Sequence, residues 1–399
     1  MYRLLLPTSA ALAALFFGST ATAQATANAV TGATDAFGFR NGDETVGIYD
    51  ESSVRGFSLE AAGNYRINGT YFVRNSGVSA FFLENTTVRI GYNTLSTILP
   101  GPSGVVDYRL RDPRHEEPDA FTVGLDPFSQ PYAELHLKHR SADDRSSYSI
   151  GIGRVFDLKD AQGGSGGDSL LVAGVGRFDM GRATARLLFG EYQYERAGLF
   201  RVRTDVRALP PELDRGRFLG QDWAREEGQR RIAGLLIDTD GTGSGVGGTL
   251  VFSQEDPTRA YSQIFSAPAE DGTSRASVIA VPQQRSTAWS GELRARRAWS
   301  SGSMEHRLDL TLRGRHQYAR LGGGSVIDLG LTRFGERPQP APSRPLDNQA
   351  AALRDEVGQW GVGLAYRAAI ARRGRLNVGV LRTDYEKTFT GVDRVSQGS

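Results

Sequence analysis

The sequence lacks cysteine, long apolar runs and a strong net charge, and each absence excludes a class of protein. None of its 399 residues is cysteine, so disulfide bonds, zinc–thiolate sites and cysteine nucleophiles are excluded. No run of about 18 or more apolar residues occurs, which excludes a bundle of transmembrane helices. The net charge of +2 argues against a dedicated nucleic-acid-binding protein.

Glycine is abundant, and aromatic residues occur along the whole sequence. There are 49 glycines, 19 phenylalanines, 14 tyrosines and 4 tryptophans, which argues against a fully disordered chain. At roughly 150 residues per domain, the length predicts two or three domains, unless one of them is a large barrel.

The first 23 residues have the pattern of an export signal. Arg3 supplies a positive charge, and a mostly apolar stretch, Leu4–Gly18, follows it. Ala21-Thr22-Ala23 matches an A-x-A cleavage site, so we expect residues 1–23 to be removed and the mature chain to begin at Gln24. A membrane anchor is the alternative, but the apolar stretch is short and ends in small residues.

The rest of the sequence divides into two regions. Residues 24–125 form a mixed segment, and residues 126–399 consist of alternating segments. A cluster of prolines and acidic residues near the division is typical of a linker. The cluster consists of Pro113, Glu116, Glu117, Pro118, Asp119, Pro127 and Pro131.

Segments of the second region alternate apolar and polar residues, which indicates strands. In Arg307–Tyr318, Leu308, Leu310 and Leu312 share one face, and Arg307, Asp309, Thr311, Arg313 and Arg315 share the other. A soluble β-sandwich is one fold that such alternation allows. A charged face is costly in lipid and cheap in a wet lumen, so in a barrel the arginine face should point inward.

The connections between these segments come in two lengths. Ser300–Ser303 and Arg372–Arg375 are short turns, whereas Leu209–Gln229, Glu255–Arg285 and Gly330–Val357 are long polar segments. Short turns on one side and long loops on the other are typical of a membrane β-barrel.

Four motifs in the first region resemble the plug of TonB-dependent outer-membrane receptors. Ser53–Phe57 (Ser-Val-Arg-Gly-Phe) resembles the Arg-Gly-Phe element, and Tyr65–Gly69 resembles the strand that precedes an apical loop. Val88–Gly91 resembles the next plug strand, and Pro102–Pro113 resembles the motif that closes the plug. The four motifs follow the order of the family.

The sequence also departs from the family pattern. No clear TonB box lies in residues 24–37, and Ser103 and Asp107 replace the usual Gly and Asn of the closing motif. Barrels of this family have 22 strands, and the residues after Pro131 supply about half of them. We therefore expect a fragment of a longer protein rather than a shortened relative.

The resemblance implies a mostly β fold, with a small α+β plug domain in residues 24–125 inside a transmembrane antiparallel β-barrel. Residues 126–399 would supply about half of the barrel strands. The implied function is energy-dependent uptake of a scarce ligand, foremost a ferric siderophore, across the outer membrane. The implied partners are the ligand, outer-membrane lipid, and the inner-membrane coupling protein TonB with its complex. No cofactor is expected, because iron would enter only as part of the ligand.

The resemblance also implies where the ligand would be contacted, in plug loops at residues 69–77 and 92–101. Aromatic faces combined with a cation suit a partly aromatic, anionic ligand. Packing of the two aromatic rings of the first loop against the barrel wall is an equally weighted alternative. The residues expected to contact the ligand are Tyr71, Phe72, Arg74, Tyr92 and Asn93.

Three further plug residues are expected to hold the plug in the barrel. By the same resemblance, Arg55, Asp107 and Arg109 would form buried, hydrogen-bonded bridges to the barrel lumen rather than contacts with the ligand.

Other motifs point to no enzyme chemistry. Gly163–Gly167 matches G-x-S-x-G but is a run of glycines in a polar stretch, without the strand and helix that a nucleophile elbow needs. Gly241–Gly248 lacks the Gly-Lys-Ser/Thr ending of a phosphate loop. His136 and His139 would lie on opposite faces of a strand and so would not share a metal. We expect no catalytic residue, no metal ligand and no enzyme activity.

Two other classes of function remain open from the sequence. One is a passive outer-membrane channel, which predicts conductance without an energy source. The other is a secreted β-rich binding or adhesion protein, which predicts release into the medium.

Overall fold

The computed structural model describes most of the chain after residue 63 and short stretches before it. The described residues are 39–41, 53–54, 57–58, 63–75, 77–90, 94, 97–99, 104–115, 118–126, 129–158, 166–197, 200–203, 218, 220–221, 223–239, 243–266, 272–281, 284–322, 325–333, 352–370, 374–391 and 395–398. The predicted export signal, residues 1–23, lies outside them.

Seven short strands of the first region form the plug. They are β1 Phe39–Asn41, β2 Ser53–Val54, β3 Phe57–Ser58, β4 Tyr65–Ile67, β5 Thr70–Tyr71, β6 Leu83–Arg89 and β7 Val105–Leu110. Five of them form a sheet in the order β1-β6-β7-β4-β5, in which β4 and β7 run parallel, while β2 pairs with β3. Asn68 and Gly69 have φ values of 48° and 78° in the tight turn between β4 and β5, a conformation that Asn and Gly tolerate.

The remaining strands form one large sheet. They are β8 Ala120–Leu125, β9 Pro131–Arg140, β10 Ser146–Phe156, β11 Asp168–Asp179, β12 Ala183–Ala197, β13 Phe200–Arg203, β14 Arg225–Thr239, β15 Ser244–Ser266, β16 Thr273–Val281, β17 Arg285–Ser301, β18 Met304–Gly322, β19 Ser325–Arg333, β20 Ala352–Ile370, β21 Gly374–Thr390 and β22 Val395–Gly398. The main order is β22-β21-β20-β18-β17-β15-β14-β12-β11-β10-β9-β8, and β13, β16 and β19 extend the sheet beside β15.

At one end of the sheet the main strands are joined by two to five residues, and at the other end the connections are longer, except at residues 126–130 and 391–394. We call these the short-turn end and the long-loop end. The short turns are residues 141–145, 180–182, 240–243, 302–303 and 371–373. Two connection lengths were predicted and are confirmed. The predicted long loop Glu255–Arg285 is corrected, because β15 continues to Ser266 and β16 follows it, so the polar segment is largely a β-hairpin.

The two faces of the large sheet differ as the alternation predicted. On β18, Leu310 and Leu312 are 50% and 47% exposed on the outer face, whereas Asp309 and Thr311 are 0% and 1% exposed on the inner face. The inner face lies against the plug, and we call the space that it borders the lumen. The arginine face therefore points inward, as expected.

The plug core continues into the lumen wall. Phe81 packs against β10 where Gly151 leaves room, since a Cβ at that position would overlap its ring. The same ring meets His136 edge-on, with 4.7 Å between ring centres. The shared core contains Tyr65, Ile67, Phe72, Phe81, Phe82, Val106 and Tyr108 of the plug, and Ala173, Val175, Leu188, Ile232, Leu236 and Val251 of the wall.

The sequence predicted that the plug ends at residue 125. In the structure the change from the plug to the large sheet comes earlier than that. The last plug strand ends at Leu110, and β8 already pairs with β9 in the large sheet. Pro131 begins β9, so it lies at the start of a barrel strand rather than in a linker between domains. Pro127 lies outside the described residues.

The helical part of the predicted α+β plug is small. Among the described residues it consists of one 3₁₀ turn, Ala80–Phe82. The Ser79 hydroxyl caps this turn by accepting a hydrogen bond from the backbone N–H of Phe81 at 3.1 Å. In the described ranges, no helix has the length and apolar character needed to cross a membrane.

Candidate functional site

Residues 69–75 of the plug run along β17 and are bonded to its lumen face. Side chains of β17 meet alternate positions of this segment, so they replace the ladder that a neighbouring strand would provide. The bonds are Arg294 Nη2 to the Gly69 carbonyl at 3.0 Å, Tyr71 N–H to Glu292 Oε2 at 3.4 Å, Val73 N–H to Ser290 Oγ at 2.8 Å, and Asn75 Nδ2 to the Ser286 carbonyl at 3.1 Å. This plug segment is therefore fixed to the wall.

Tyr71 lies within a group of cations at this junction. The guanidinium carbons of Arg66 and Arg313 are 5.5 and 5.0 Å from the centre of its ring. Burial raises the pKa of Tyr71, so its phenol stays neutral. Burial, followed by the charge of Arg313, lowers the pKa of Arg66 to about 10, so Arg66 stays charged at neutral pH. The junction is a buried cation–π contact that joins plug and wall.

A second group of aromatic and charged side chains lies on the lumen wall near the long-loop end. The rings of Tyr192 and Tyr194 on β12 stack with 5.6 Å between centres. The guanidinium carbon of Arg230 on β14 lies 6.0 Å from the ring centre of Tyr192 and 5.9 Å from that of Tyr194, and the guanidinium carbon of Arg196 lies 5.7 Å from the ring centre of Tyr194. We call Tyr192, Tyr194, Arg196 and Arg230 the upper lumen cluster.

Two carboxylates hold the cations of this cluster in place. Glu226 accepts hydrogen bonds from Arg196 Nη2 at 2.8 Å and from the Tyr194 hydroxyl at 3.1 Å. Glu255 accepts from Arg230 Nε at 2.8 Å. Because each guanidinium keeps N–H groups beyond these bonds, the cluster can still donate to an anion.

Two residues of the upper lumen cluster, Tyr192 and Arg230, line a cavity between the plug and the wall. The cavity has a volume of about 150 Å³ and lies between plug residues 77–79 and the wall residues Tyr192, Arg230 and Ile232. Half-buried tyrosine rings and arginine side chains at such a cavity can stack on planar aromatic groups and pair with negative charge. At this volume the cavity suits one planar aromatic group that carries negative charge, rather than a whole bulky ligand.

The plug residues expected to contact a ligand lie elsewhere. Phe72 is fully buried between Tyr65 and Tyr108 in the plug core, and Tyr71 is buried against the wall. The placement of Tyr71 is the one that the alternative of packing against the wall describes, whereas Phe72 packs within the plug core. Arg74 is half-buried, and its guanidinium carbon lies 5.7 Å from the ring centre of Tyr65. Tyr92 and Asn93 lie outside the described residues.

The residues expected to bridge plug and barrel have other partners. Asp107 accepts a hydrogen bond from the Gly69 N–H at 2.8 Å and pairs with Arg89 at 3.4 Å, both within the plug. Arg109 pairs with Glu84 of the plug at 3.1 Å. The bridging prediction is corrected for these two residues, because they stabilise the β4–β5 turn and the face of β6 instead. Arg55 lies outside the described residues.

Sequence reasoning missed the upper lumen cluster. Its signal is the Tyr-Gln-Tyr-Glu-Arg run at residues 192–196, where alternate residues on a strand share a face. Arg230 is brought to Tyr192 by the register of β12 and β14, in which these two residues are direct partners. Within the described ranges, no three His, Asp or Glu side chains come together to hold a metal ion.

The fold is similar to those of solved outer-membrane siderophore receptors. The ferric-catecholate import receptor Fiu from E. coli K12 has a TM-score of 0.65 and 12% identity, with 82% of this chain and 53% of that chain covered. The ferripyoverdine receptor of Pseudomonas aeruginosa has a TM-score of 0.65 and 15% identity, with 87% and 48% covered. BauA, the ferric preacinetobactin receptor from Acinetobacter baumannii, has a TM-score of 0.66 and 14% identity, with 87% and 54% covered.

These comparisons define the fold of the chain. It has a TonB-dependent receptor-like fold, in which a plug lies against the inner face of a barrel-type sheet. The chain spans about half the length of the receptors to which it is similar. Neither the protein-family models nor the curated proteins include a match.

Proposed function

We propose that this chain supplies the plug and part of the barrel of an outer-membrane receptor for a ferric siderophore. The upper lumen cluster carries this proposal, because its stacked tyrosines and its arginines lie beside a cavity between the plug and the wall, which Tyr192 and Arg230 line. Among the proteins of similar fold, Fiu is named an import receptor for ferric catecholates, and the other two are named receptors for ferripyoverdine and for ferric preacinetobactin. The proposed role is transport rather than catalysis.

The outer face of the large sheet supports a membrane location for the protein. Large apolar side chains are exposed on neighbouring strands, and they include Leu187, Phe189, Leu235, Leu250, Trp289, Leu293, Leu310, Leu312, Val362, Leu364, Val378 and Val380. Exposure of so many apolar side chains on one face is unfavourable in water but favourable in lipid. The proposed location is the outer membrane, with the predicted signal at residues 1–23 directing export.

The plug supports energy-dependent rather than passive transport. Its core is shared with the wall, and residues 69–75 are hydrogen bonded to β17. A ligand held above the plug would pass only if these contacts were rearranged, which requires work. The proposed source of this work is TonB with its inner-membrane complex.

Ligand binding by the purified chain in detergent tests the recognition step. The probes are a ferric tris-catecholate, which is anionic and aromatic, and a neutral ferric tris-hydroxamate. Intrinsic fluorescence should report tighter binding of the catecholate complex. Tyr192→Ala and Arg230→Gln should each weaken binding roughly tenfold, since each removes a stacking or cation–π contact. Tyr148→Ala is the matched control, because Tyr148 is exposed on the outer face.

Two results would overturn the recognition step. One is an absence of binding of either complex by the folded chain. The other is an equal loss of binding in Tyr148→Ala and Tyr192→Ala. Uptake of the iron complex by cells, measured with and without a proton gradient, tests the coupling step. Uptake that persists without the gradient would favour a passive channel.

A further inference from the structure

A second cavity lies at the opposite end of the lumen wall from the upper lumen cluster. It has a volume of about 560 Å³ and lies at the short-turn end of β17, β18, β20 and β21. Arg307, Arg367 and Arg375 supply its positive charge, and Glu305 is the carboxylate among its lining residues. The cavity is therefore dominated by arginine.

Two of these arginines face each other directly across neighbouring strands. Arg307 of β18 and Arg367 of β20 are register partners in the antiparallel pair. Like charges in directly opposed positions repel each other and destabilise a sheet. A pair of this kind needs negative charge nearby to balance it.

The chain supplies a carboxylate to one arginine of this pair. Asp309, which is fully buried, binds Arg307 through two hydrogen bonds of 2.7 and 2.9 Å. Within the described part of the chain, the buried Nη2 of Arg367 has no hydrogen-bond partner. The charges that act on Arg367 come from Arg307, Arg294 and Arg375, with Asp309 as the opposing anion. Arg367 is thus left with an unused donor and an excess of positive surroundings.

We propose that this cavity binds an oxyanion of the phosphate class through Arg367 and Arg375. A guanidinium with an unpaired donor and positive neighbours favours an anion nearby, and the oxygens of an oxyanion pair well with guanidinium groups. Arg375, on β21, is exposed in the same cavity and can add a second guanidinium. A tetrahedral dianion offers oxygens to both side chains and balances both charges, whereas a carboxylate balances one.

The inference does not depend on the ligand of the upper lumen cluster, because the two sites lie at opposite ends of the strands. The proposed site would bind a water-soluble anion at the short-turn end of the lumen. Its test also needs no transport assay, so its failure is distinguishable from failure of the proposed siderophore receptor.

Calorimetric titration and thermal unfolding of the purified chain in detergent test the site, with inorganic phosphate as the probe. Phosphate should raise the melting temperature more than sodium chloride of the same ionic strength, because a ligand of the folded state stabilises it. Sulfate should compete with phosphate, and acetate should not. Arg367→Gln and Arg375→Gln should each weaken phosphate binding about tenfold or more, the loss expected from removing a charged hydrogen bond.

Removal of Arg367 has a second, distinctive effect. Arg367→Gln should raise the melting temperature in the absence of phosphate, because it removes the repulsion from Arg307. If Arg367→Gln does not fold, Arg375→Gln still tests the site, because Arg375 is exposed and its replacement should not disturb folding. The matched control is Arg354→Gln, because Arg354 is exposed near the other end of the same strand, β20; its phosphate affinity should stay unchanged.

Three results would overturn the proposal. The first is a wild-type chain that phosphate stabilises no more than chloride does. The second is unchanged phosphate affinity in Arg375→Gln, together with unchanged affinity in Arg367→Gln where that variant folds. The third is equal competition by acetate, which would exclude a phosphate-class ligand.

Discussion

The plug and the large sheet place their apolar side chains in opposite ways. In the plug, Tyr65, Phe72, Phe82 and Tyr108 are buried against each other. In the large sheet, apolar side chains such as Leu310 point outward and are exposed, while the inner face buries polar groups such as Asp309. One chain therefore contains a domain with an apolar core and a sheet of inverted design, in which the apolar face points outward and the polar face is buried.

The difference shows that a face of this protein is buried where another part of the chain packs against it, whether that face is polar or apolar. The inner face of the sheet is buried because the plug lies against it, and its polar groups are stabilised by hydrogen bonds and ion pairs. Glu292 pairs with Arg294, and the Tyr71 N–H donates to the same carboxylate. Where the plug presents apolar residues, as at Phe81 and Phe82, the wall presents glycine or apolar residues instead.

The largest expected effect comes from removing an aromatic ring from the plug core. Phe82→Ala leaves a cavity in a fully buried position, and we expect a loss of about 3–5 kcal/mol in the free energy of unfolding. Denaturant unfolding of the chain in detergent measures this loss.

The matched control is Phe121→Ala, because Phe121 is 70% exposed on β8. Its expected loss is much smaller, since no cavity forms. Equal losses at the two positions would mean that Phe82 does not lie in a packed core.

The next effect tests the inverted design of the sheet. Leu310→Arg places a charge on the outer face, and in a lipid bilayer we expect a loss of about 2–4 kcal/mol, the cost of arginine near the midplane. Unfolding in lipid vesicles measures it. Leu310→Ile, which conserves volume, should cost less than about 1.5 kcal/mol. A charged variant as stable as the isoleucine variant would show that this face does not meet lipid.

The inverted sheet was predictable from sequence because strand alternation records it directly. Leu308, Leu310 and Leu312 were assigned to one face and Asp309 and Thr311 to the other, and the structure confirms this division. The hydrophobic pattern does not show where a sheet begins, so Ala120–Leu125 was left in the plug. The sequence did not predict the second half of β15 as a strand, because that half is polar and contains Pro257.

The candidate site was less predictable because it depends on pairing between distant strands. Tyr192 and Tyr194 can be placed on one face from sequence, but their contact with Arg230 requires the register of β12 and β14. The family resemblance places Tyr71 and Phe72 in a ligand loop, and their aromatic side chains make them candidates for ligand contact. Their burial follows from the bonds of residues 69–75 to β17, which no local pattern reveals.

The smallest effect concerns Asp112, in the segment that connects the plug to the sheet. Its carboxylate accepts hydrogen bonds from Arg114 Nη2 at 2.8 Å, Nε at 3.2 Å and the backbone N–H at 3.1 Å. Partial burial raises the pKa of Asp112, but these bonds outweigh burial and lower it to about 2. Because the unfolded pKa is about 3.9, the folded state gains stability above that pH and loses it as pH falls through about 2.

Asp112→Asn should therefore lower the free energy of unfolding by about 1 kcal/mol at pH 7, after discounting for the solvent exposure of the pair. The difference from wild type should shrink between pH 4 and pH 2, because Asp112 of the unfolded chain takes up its proton in this range, before Asp112 of the folded chain does. Denaturant unfolding at several pH values measures this trend. Arg114→Gln should give a similar loss, and the double variant should lose little more than either single one. A difference that stays constant down to pH 2 would show that the ion pair does not stabilise the connection between plug and sheet.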